Sequence, residues 1–339
     1  MRNIRYDSLK GLAIILVAFE HILQVTTANY ADTKIHSFIF GLQMPLFIIL
    51  SGYFSTKKVA FSIKEWKDAF FRRTAAYMIP FFSKILIFDQ ILNINQTSIK
   101  ENLHNIFPNA IDNGLWFLWV VYFLYIHMSV SMLITDKIKK AANSKRLFLE
   151  AFVYFVTLFP WILIAFFVES RFLGARLILY YSIFYLLGHI YRWYIEKRLL
   201  NNNMLKDALM ALFLVIGSVI TFRYNFISTG DGIVFTSLRM IAGVSLSFFL
   251  IFIFDKYPID KYVPCLPHIG RYTLEIFYVH GVAFALLRQS NPPVLYSIEG
   301  VLIVFLSCFI TVSLTTIIIA AIKSNRFTDF LIFGKIKRE

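Results

Sequence analysis

Ten apolar stretches of membrane-crossing length follow one another along this chain, and that succession constrains its fold more than any other feature. They lie near residues 9–27, 36–55, 69–91, 115–135, 147–168, 173–192, 205–222, 233–254, 270–288 and 299–322. A helix rises about 1.5 Å per residue, so roughly twenty apolar residues cross a hydrocarbon core about 30 Å thick. In lipid each backbone N–H and C=O needs a partner within the protein, and runs this long satisfy that need as helices. The expected fold is an all-α, polytopic transmembrane bundle of about ten helices. Residues 1–339 read as one membrane domain, because no loop is long enough for a separate soluble one. At 58% hydrophobic, 339 residues carry more apolar surface than a soluble core requires. The third stretch is the most compromised, since it contains Pro80, Lys84 and Asp89.

The charges test this reading. A formal +14 invites nucleic acid as a partner, but its distribution excludes that explanation. With the N-terminus inside, 26 of the 34 basic residues fall at the inner face. They sit before the first span and in segments 56–73, 136–146, 192–206, 255–271 and beyond 322. Only Lys34, Lys100, Arg171, Arg176, Arg223 and Arg288 lie outside, and Lys84 and Arg239 fall within spans. Short loops that alternate basic and non-basic follow the positive-inside rule, which places both termini in the cytoplasm. The first stretch reads as a retained anchor rather than a signal peptide, because nine further spans follow. No internal repeat and no pair of broken helices of the transporter type is evident.

Function must then reside in the polar groups that lie within the spans. The first span, RYDSLKGLAIILVAFEHIL, contains Glu20 and His21 well inside an apolar run. Ionisable groups in lipid are costly and mark functional sites by default. Histidine's ordinary pKa lies nearest neutrality and suits proton abstraction from a hydroxyl, although a structural histidine between helices is the plainer alternative. Lys10 precedes His21 by eleven residues. That spacing returns to within about 20° of the same helix face, roughly 16 Å along the axis. Glu20 is rotated about 100° from His21, which favours pairing with another helix and a supporting role.

In HSFIFGLQMPLFIILSGYF, residues 36–54, Gly41, Ser51 and Gly52 permit close helix packing, and Pro45 frees a backbone carbonyl. His36 begins this helix at the outer face, as a substrate contact or a solvated interfacial residue. Arg72 and Arg73 lie at the inner end of the third helix. Topological anchoring explains them, yet a guanidinium also grips phosphate oxygens bidentately, as a phosphate-bearing donor such as coenzyme A would need. Arg239 in the eighth span pairs with an acid or lines the cavity. Arg271 and Glu275 are spaced as an i,i+4 ion pair, within GRYTLEIFYVHG, which also holds His280. Trp116 sits in an aromatic run suited to interfacial anchoring or to stacking on a sugar ring. Cys265 and Cys308 form neither a disulfide framework nor a metal-ligand pattern, and no metal is expected.

Taken in order, these segments resemble the integral-membrane acyltransferase family 3, in particular its fucose 4-O-acetylase-like branch. The resemblance covers essentially the whole chain. It is carried by RYDSLKGLAIILVAFEH, with Lys10 and His21 at the family's Arg/Lys-x10-His positions, and by MPLFIILSGYF at 44–54 and RR at 72–73. LWFL at 115–118, FYLLGHIY at 184–191 and GRYTLEIFYVHG at 270–281 complete the order. The resemblance implies acyl transfer, often of acetyl, from cytoplasmic acyl-CoA to a hydroxyl of an envelope glycan or lipid-linked sugar. It implies a catalytic role for His21, as general base or as acyl relay, with Glu20 in support, and donor binding by Arg72 and Arg73. Lys10 is a further candidate donor contact or a helix-positioning one, and lysine in place of the commoner arginine keeps the charge and loses the bidentate fork. His36, Trp116 and Arg239 are the candidate acceptor contacts. The expected partners are acyl-CoA, the acceptor and membrane lipid, with no nucleic acid and with the oligomeric state open. A composition rich in Lys, Ile, Phe and Asn fits an AT-rich bacterial genome and hence a bacterial cytoplasmic membrane. The rival reading is a transporter or flippase of a polar lipid or sugar that uses Glu20, His21 and Arg239 as its path.

Overall fold

The computed structural model of the protein describes residues 3–55, 63–88, 100, 101, 108, 116–138, 143–168, 172–196, 203–224 and 232–335. Each of the ten apolar stretches is mostly helical where described. The first four are α1 (Ile4–Thr26), α2 (Lys34–Tyr53), α3 (Ile63–Ser83) and α4 (Trp116–Ile138). A π-turn, Lys84–Phe88, continues α3, and the rest of that expected span lies outside the described residues. The fifth stretch forms α5 (Asn143–Thr157) and α6 (Phe159–Phe167). It divides because Pro160 has no N–H and its ring crowds the preceding turn, so α6 restarts with proline in its first turn. There follow α7 (Ala175–Ile190), α8 (Asn203–Arg223), α9 (Ile233–Lys256) and the single turn α10 (Ile259–Tyr262). The ninth stretch is three short helices, α11 (Cys265–Arg271), α12 (Thr273–Val279) and α13 (Gly281–Leu287). Last come α14 (Ile298–Lys323) and α15 (Arg326–Phe333), the latter unforeseen in the sequence.

Eight helical stretches among the described residues are long and apolar enough to cross a membrane, which makes this a polytopic helical membrane protein. The two expected spans outside that set differ for physical reasons. The first half of α3 carries Lys64, Glu65, Lys67, Asp68, Arg72 and Arg73, too much charge for lipid. The ninth is interrupted at Tyr272, which leaves Thr273–Leu287 short.

The chain divides into two compact units, Met1–Leu50 with Arg198–Ala320 and Ser51–Lys197 with Ala321–Glu339. In the first, α1 packs against α9 and α10 to α13, and α8 packs against α9. The contact of α1 with α11 is backbone to backbone. A Cβ at Gly11 would strike the Leu266 carbonyl, and one at Gly270 the Asp7 carbonyl. Two glycines on facing helices let the main chains touch, as small residues do wherever lipid supplies no hydrophobic drive between helices. Proline 45 leaves α2 unbroken. The carbonyl four residues earlier, Gly41, faces α9 at Gly243, where a Cβ would lie 3.0 Å from that oxygen and 2.7 Å from the proline ring. The freed carbonyl is thus covered by protein. Asparagine 3 caps the start of α1 through the Arg5 amide, and the Thr26 and Thr27 hydroxyls close its end on the Ile22 and Leu23 carbonyls, each at 2.7 Å.

In the second unit α4 packs on α3, α5 and α7, and α6 on α7. Helix α15 lies on α3, tied by the Ser83 hydroxyl donating to the Ile332 carbonyl at 3.1 Å.

Candidate active site

In the first unit the site begins on α1. Lys10 is half-buried there and Glu20 is 6% exposed. The Glu20 carboxylate turns to α2, where it accepts from the Gln43 amide. One of its oxygens lies 3.1 Å from His36 Nδ1, an ion-pair distance without hydrogen-bond alignment. The His36 ring is buried between Tyr30, which it meets edge-on at 5.2 Å, and Phe40 at 5.5 Å. The Arg239 guanidinium of α9 stands 5.7 Å over the Phe40 ring, a favourable seat for a cation. Glu20, His36 and Arg239, which the sequence placed on three separate spans, thus share one cluster.

His21 points elsewhere. Its Nδ1 lies 3.1 Å from Nε2 of His280, at the junction of α12 and α13. The other nitrogen of His280, Nδ1, lies 2.9 Å from the Ile276 carbonyl. Aromatic rings pack around both imidazoles: Phe284 is 5.3 Å from His21 and 4.9 Å from His280, and Phe277 is 5.7 Å from His280. His280 is buried and His21 half-buried. No described residue hydrogen-bonds His21 Nε2.

Arg72, Arg73 and Trp116 belong to the second unit. Arg72 is exposed on α3. Arg73 is half-buried and donates long hydrogen bonds to the Tyr77 hydroxyl at 3.3 Å and the Phe54 carbonyl at 3.5 Å. Its guanidinium also sits 5.6 Å over the Tyr125 ring. Trp116 opens α4 and stacks on Tyr181 of α7 at 5.6 Å and 24°. That stacking makes it a packed, half-buried aromatic.

The model of the acyltransferase domain matches residues 3–320, which spans both units. The chain belongs to acyltransferase family 3. No curated protein and no solved structure matches it. The protein is therefore an integral-membrane acyltransferase, and its polar residues can be read as the equipment of that reaction.

His21 sets an imidazole beside an apolar wall formed by Phe284. A neutral imidazole has one donor and one acceptor nitrogen. The Nδ1 of His21 is engaged with His280, which leaves Nε2 as its other ring nitrogen. The sequence shows His280 within its motif but not its partner, which lies 259 residues away. Arg271 is exposed at the end of α11 and Glu275 is buried in α12, on either side of the break at Tyr272. A second missed feature is a buried network in the second unit. Glu150 accepts from Arg146 at 2.6 Å and Tyr194 at 2.9 Å, and lies 3.3 Å from His189. Arg146, which looked only topological, also reaches Asp136 at 2.7 Å. Through Arg146, Asp136, Glu150 and His189 this network links α4, α5 and α7.

Proposed function

We propose that this acyltransferase moves a short acyl group, acetyl first, from cytoplasmic acyl-CoA to a hydroxyl of an envelope glycan or lipid-linked sugar. The membrane concerned is a bacterial cytoplasmic membrane. The observation that carries the reading is His21 on a membrane-length helix, with Nδ1 engaged and Nε2 open. His21 Nε2 takes the proton of the acceptor hydroxyl as its oxygen attacks the thioester carbonyl. The C–S bond then breaks, and the imidazolium returns the proton to the departing thiolate of coenzyme A. Protons and bonds balance with no further reagent. General-base action of this kind contributes roughly 10²–10⁴-fold.

Glu20 supports the site through its charge and holds His36 and Gln43. His36 and Arg239 are the acceptor contacts in that cluster, and Trp116 offers an aromatic face. Arg72 and Arg73 take the donor phosphates. Their fitness rests on the exposure of Arg72 and on the long, weak bonds of Arg73, which leave the guanidinium able to accept better partners. Lys10 adds charge at the inner end of α1.

The test is purified protein in lipid with labelled acetyl-CoA and candidate glycans or lipid-linked sugars, read by CoA release and by mass spectrometry of the acceptor. Acceptor-dependent release that falls at least about 100-fold in His21→Ala, at equal expression, supports the reading. Wild-type turnover in that variant would remove His21 from the chemistry. Label retained on the protein without acceptor would make His21 an acyl carrier, and substrate movement without CoA release would make the protein a transporter.

A further inference from the structure

A histidine that serves as a base must hold its proton on the nitrogen away from the substrate. Nothing in an isolated imidazole ensures this, because which nitrogen is protonated depends on the bond the other one makes. Here the bonds run in series. The Ile276 carbonyl is an acceptor with no proton to give, so the nitrogen 2.9 Å from it, His280 Nδ1, is the donor. A neutral His280 then has its lone pair on Nε2. The nitrogen 3.1 Å from that lone pair, His21 Nδ1, must therefore carry a proton. His21 Nε2 is left with its lone pair outward.

The geometry also holds the rings still. Ile276 lies one helical turn before His280, so the carbonyl that orients the second imidazole is part of its own helix. Phe277 and Phe284 pack against the His280 ring, and Phe284 meets it edge-on at 87°. The two imidazoles are 35° from coplanar, with centroids 5.3 Å apart. A fixed backbone acceptor, two aromatic walls and one ring nitrogen thus define both the tilt and the tautomer of His21.

We propose that His280 is a positioning residue for acyl transfer: it accepts the Nδ1–H of His21 and so fixes the tautomer whose Nε2 faces the acceptor hydroxyl. The inference rests on His21 acting as the base. It assigns to His280 the orienting part that a carboxylate plays in a serine-protease triad, without adding a charge. The same bond supports the imidazolium of the transition state, since His280 Nε2 remains an acceptor when His21 gains its second proton.

The experiment uses full-length protein labelled with ¹⁵N-histidine in lipid, with the His21 signals assigned by their loss in His21→Ala. Solid-state ¹⁵N spectra are expected to show His21 protonated at Nδ1 and bare at Nε2, with His280 likewise bare at Nε2. In His280→Ala the His21 tautomers should mix, and kcat should fall roughly 10–100-fold, as for other residues that orient a reacting histidine. The KM values for donor and acceptor should stay within about twofold. His280→Gln can present an oxygen near the lost Nε2 and should recover most of kcat. A wild-type His21 protonated at Nε2, or a doubly protonated His280, would overturn the proposal even if the variants fail to fold. So would a His21 spectrum unchanged in a folded His280→Ala. Because the spectra need no turnover, absence of acyl transfer would count against the proposed function and leave the tautomer result standing.

Discussion

In the proposed reaction the position of one proton at His21 separates a base from an inert ring. His21 stands out in the sequence because an ionisable side chain in an apolar run carries a cost that calls for an explanation. Arg73 shows the opposite situation. Positive-inside anchoring accounts for any arginine at the foot of a span, so the sequence alone left its role open. The structure adds two long hydrogen bonds and an aromatic face. Arg73→Gln should raise the donor KM several-fold with the acceptor KM unchanged, and Arg73→Lys should restore it only in part, because an ammonium lacks the planar fork. Saturation curves for acyl-CoA decide the matter: an unchanged donor KM would make Arg73 a topological anchor only.

At the scale of elements, the seating of α1 determines where His21 stands. That seating depends on Gly11 and Gly270, whose missing side chains let α1 and α11 meet main chain to main chain. Gly270→Leu would push its side chain into the Asp7 carbonyl, which cannot rotate away. It should cost at least about 3 kcal/mol, the upper end for overpacking, read as a lower unfolding midpoint in detergent. Gly281→Ala is the matched control. A Cβ there meets nothing within 4 Å, and the change should stay within about 0.5 kcal/mol. Equal effects of the two substitutions would refute the close-contact account. Neither glycine stood out in the sequence, where each is one small residue beside a basic or apolar neighbour. Their importance is a relation between helices. The same holds for Glu150, whose three partners come from α5, α7 and the π-turn Tyr191–Ile195 that follows it.

For the whole molecule the open quantity is orientation. The inner-face excess of Lys and Arg sets a definite expectation: both termini inside, the Tyr30–Asp32 turn outside, and α10 inside. In a background with Cys265 and Cys308 replaced by serine, Asp32→Cys in intact cells should react with a membrane-impermeant thiol reagent. Lys261→Cys should react only after permeabilisation. The reversed pattern would invert the assignment of donor and acceptor sides, and with it the placing of Lys10, Arg72 and Arg73 at the cytoplasmic surface.

The sequence by itself determined that this chain is a helical membrane protein, because lipid leaves an unpaired backbone no alternative and twenty apolar residues announce a span. It also determined which ionisable groups needed explaining, and the ordered motifs pointed to the acyltransferase family that the domain match shows. Tertiary structure alone decided what those groups touch. It sent Glu20 to His36 and Gln43, broke the ninth stretch at Tyr272, and brought His280 to His21 across 259 residues. Periodicity and burial cost are properties of a segment and can be read along it. A hydrogen bond between two helices depends on where packing places both, and no local pattern records that.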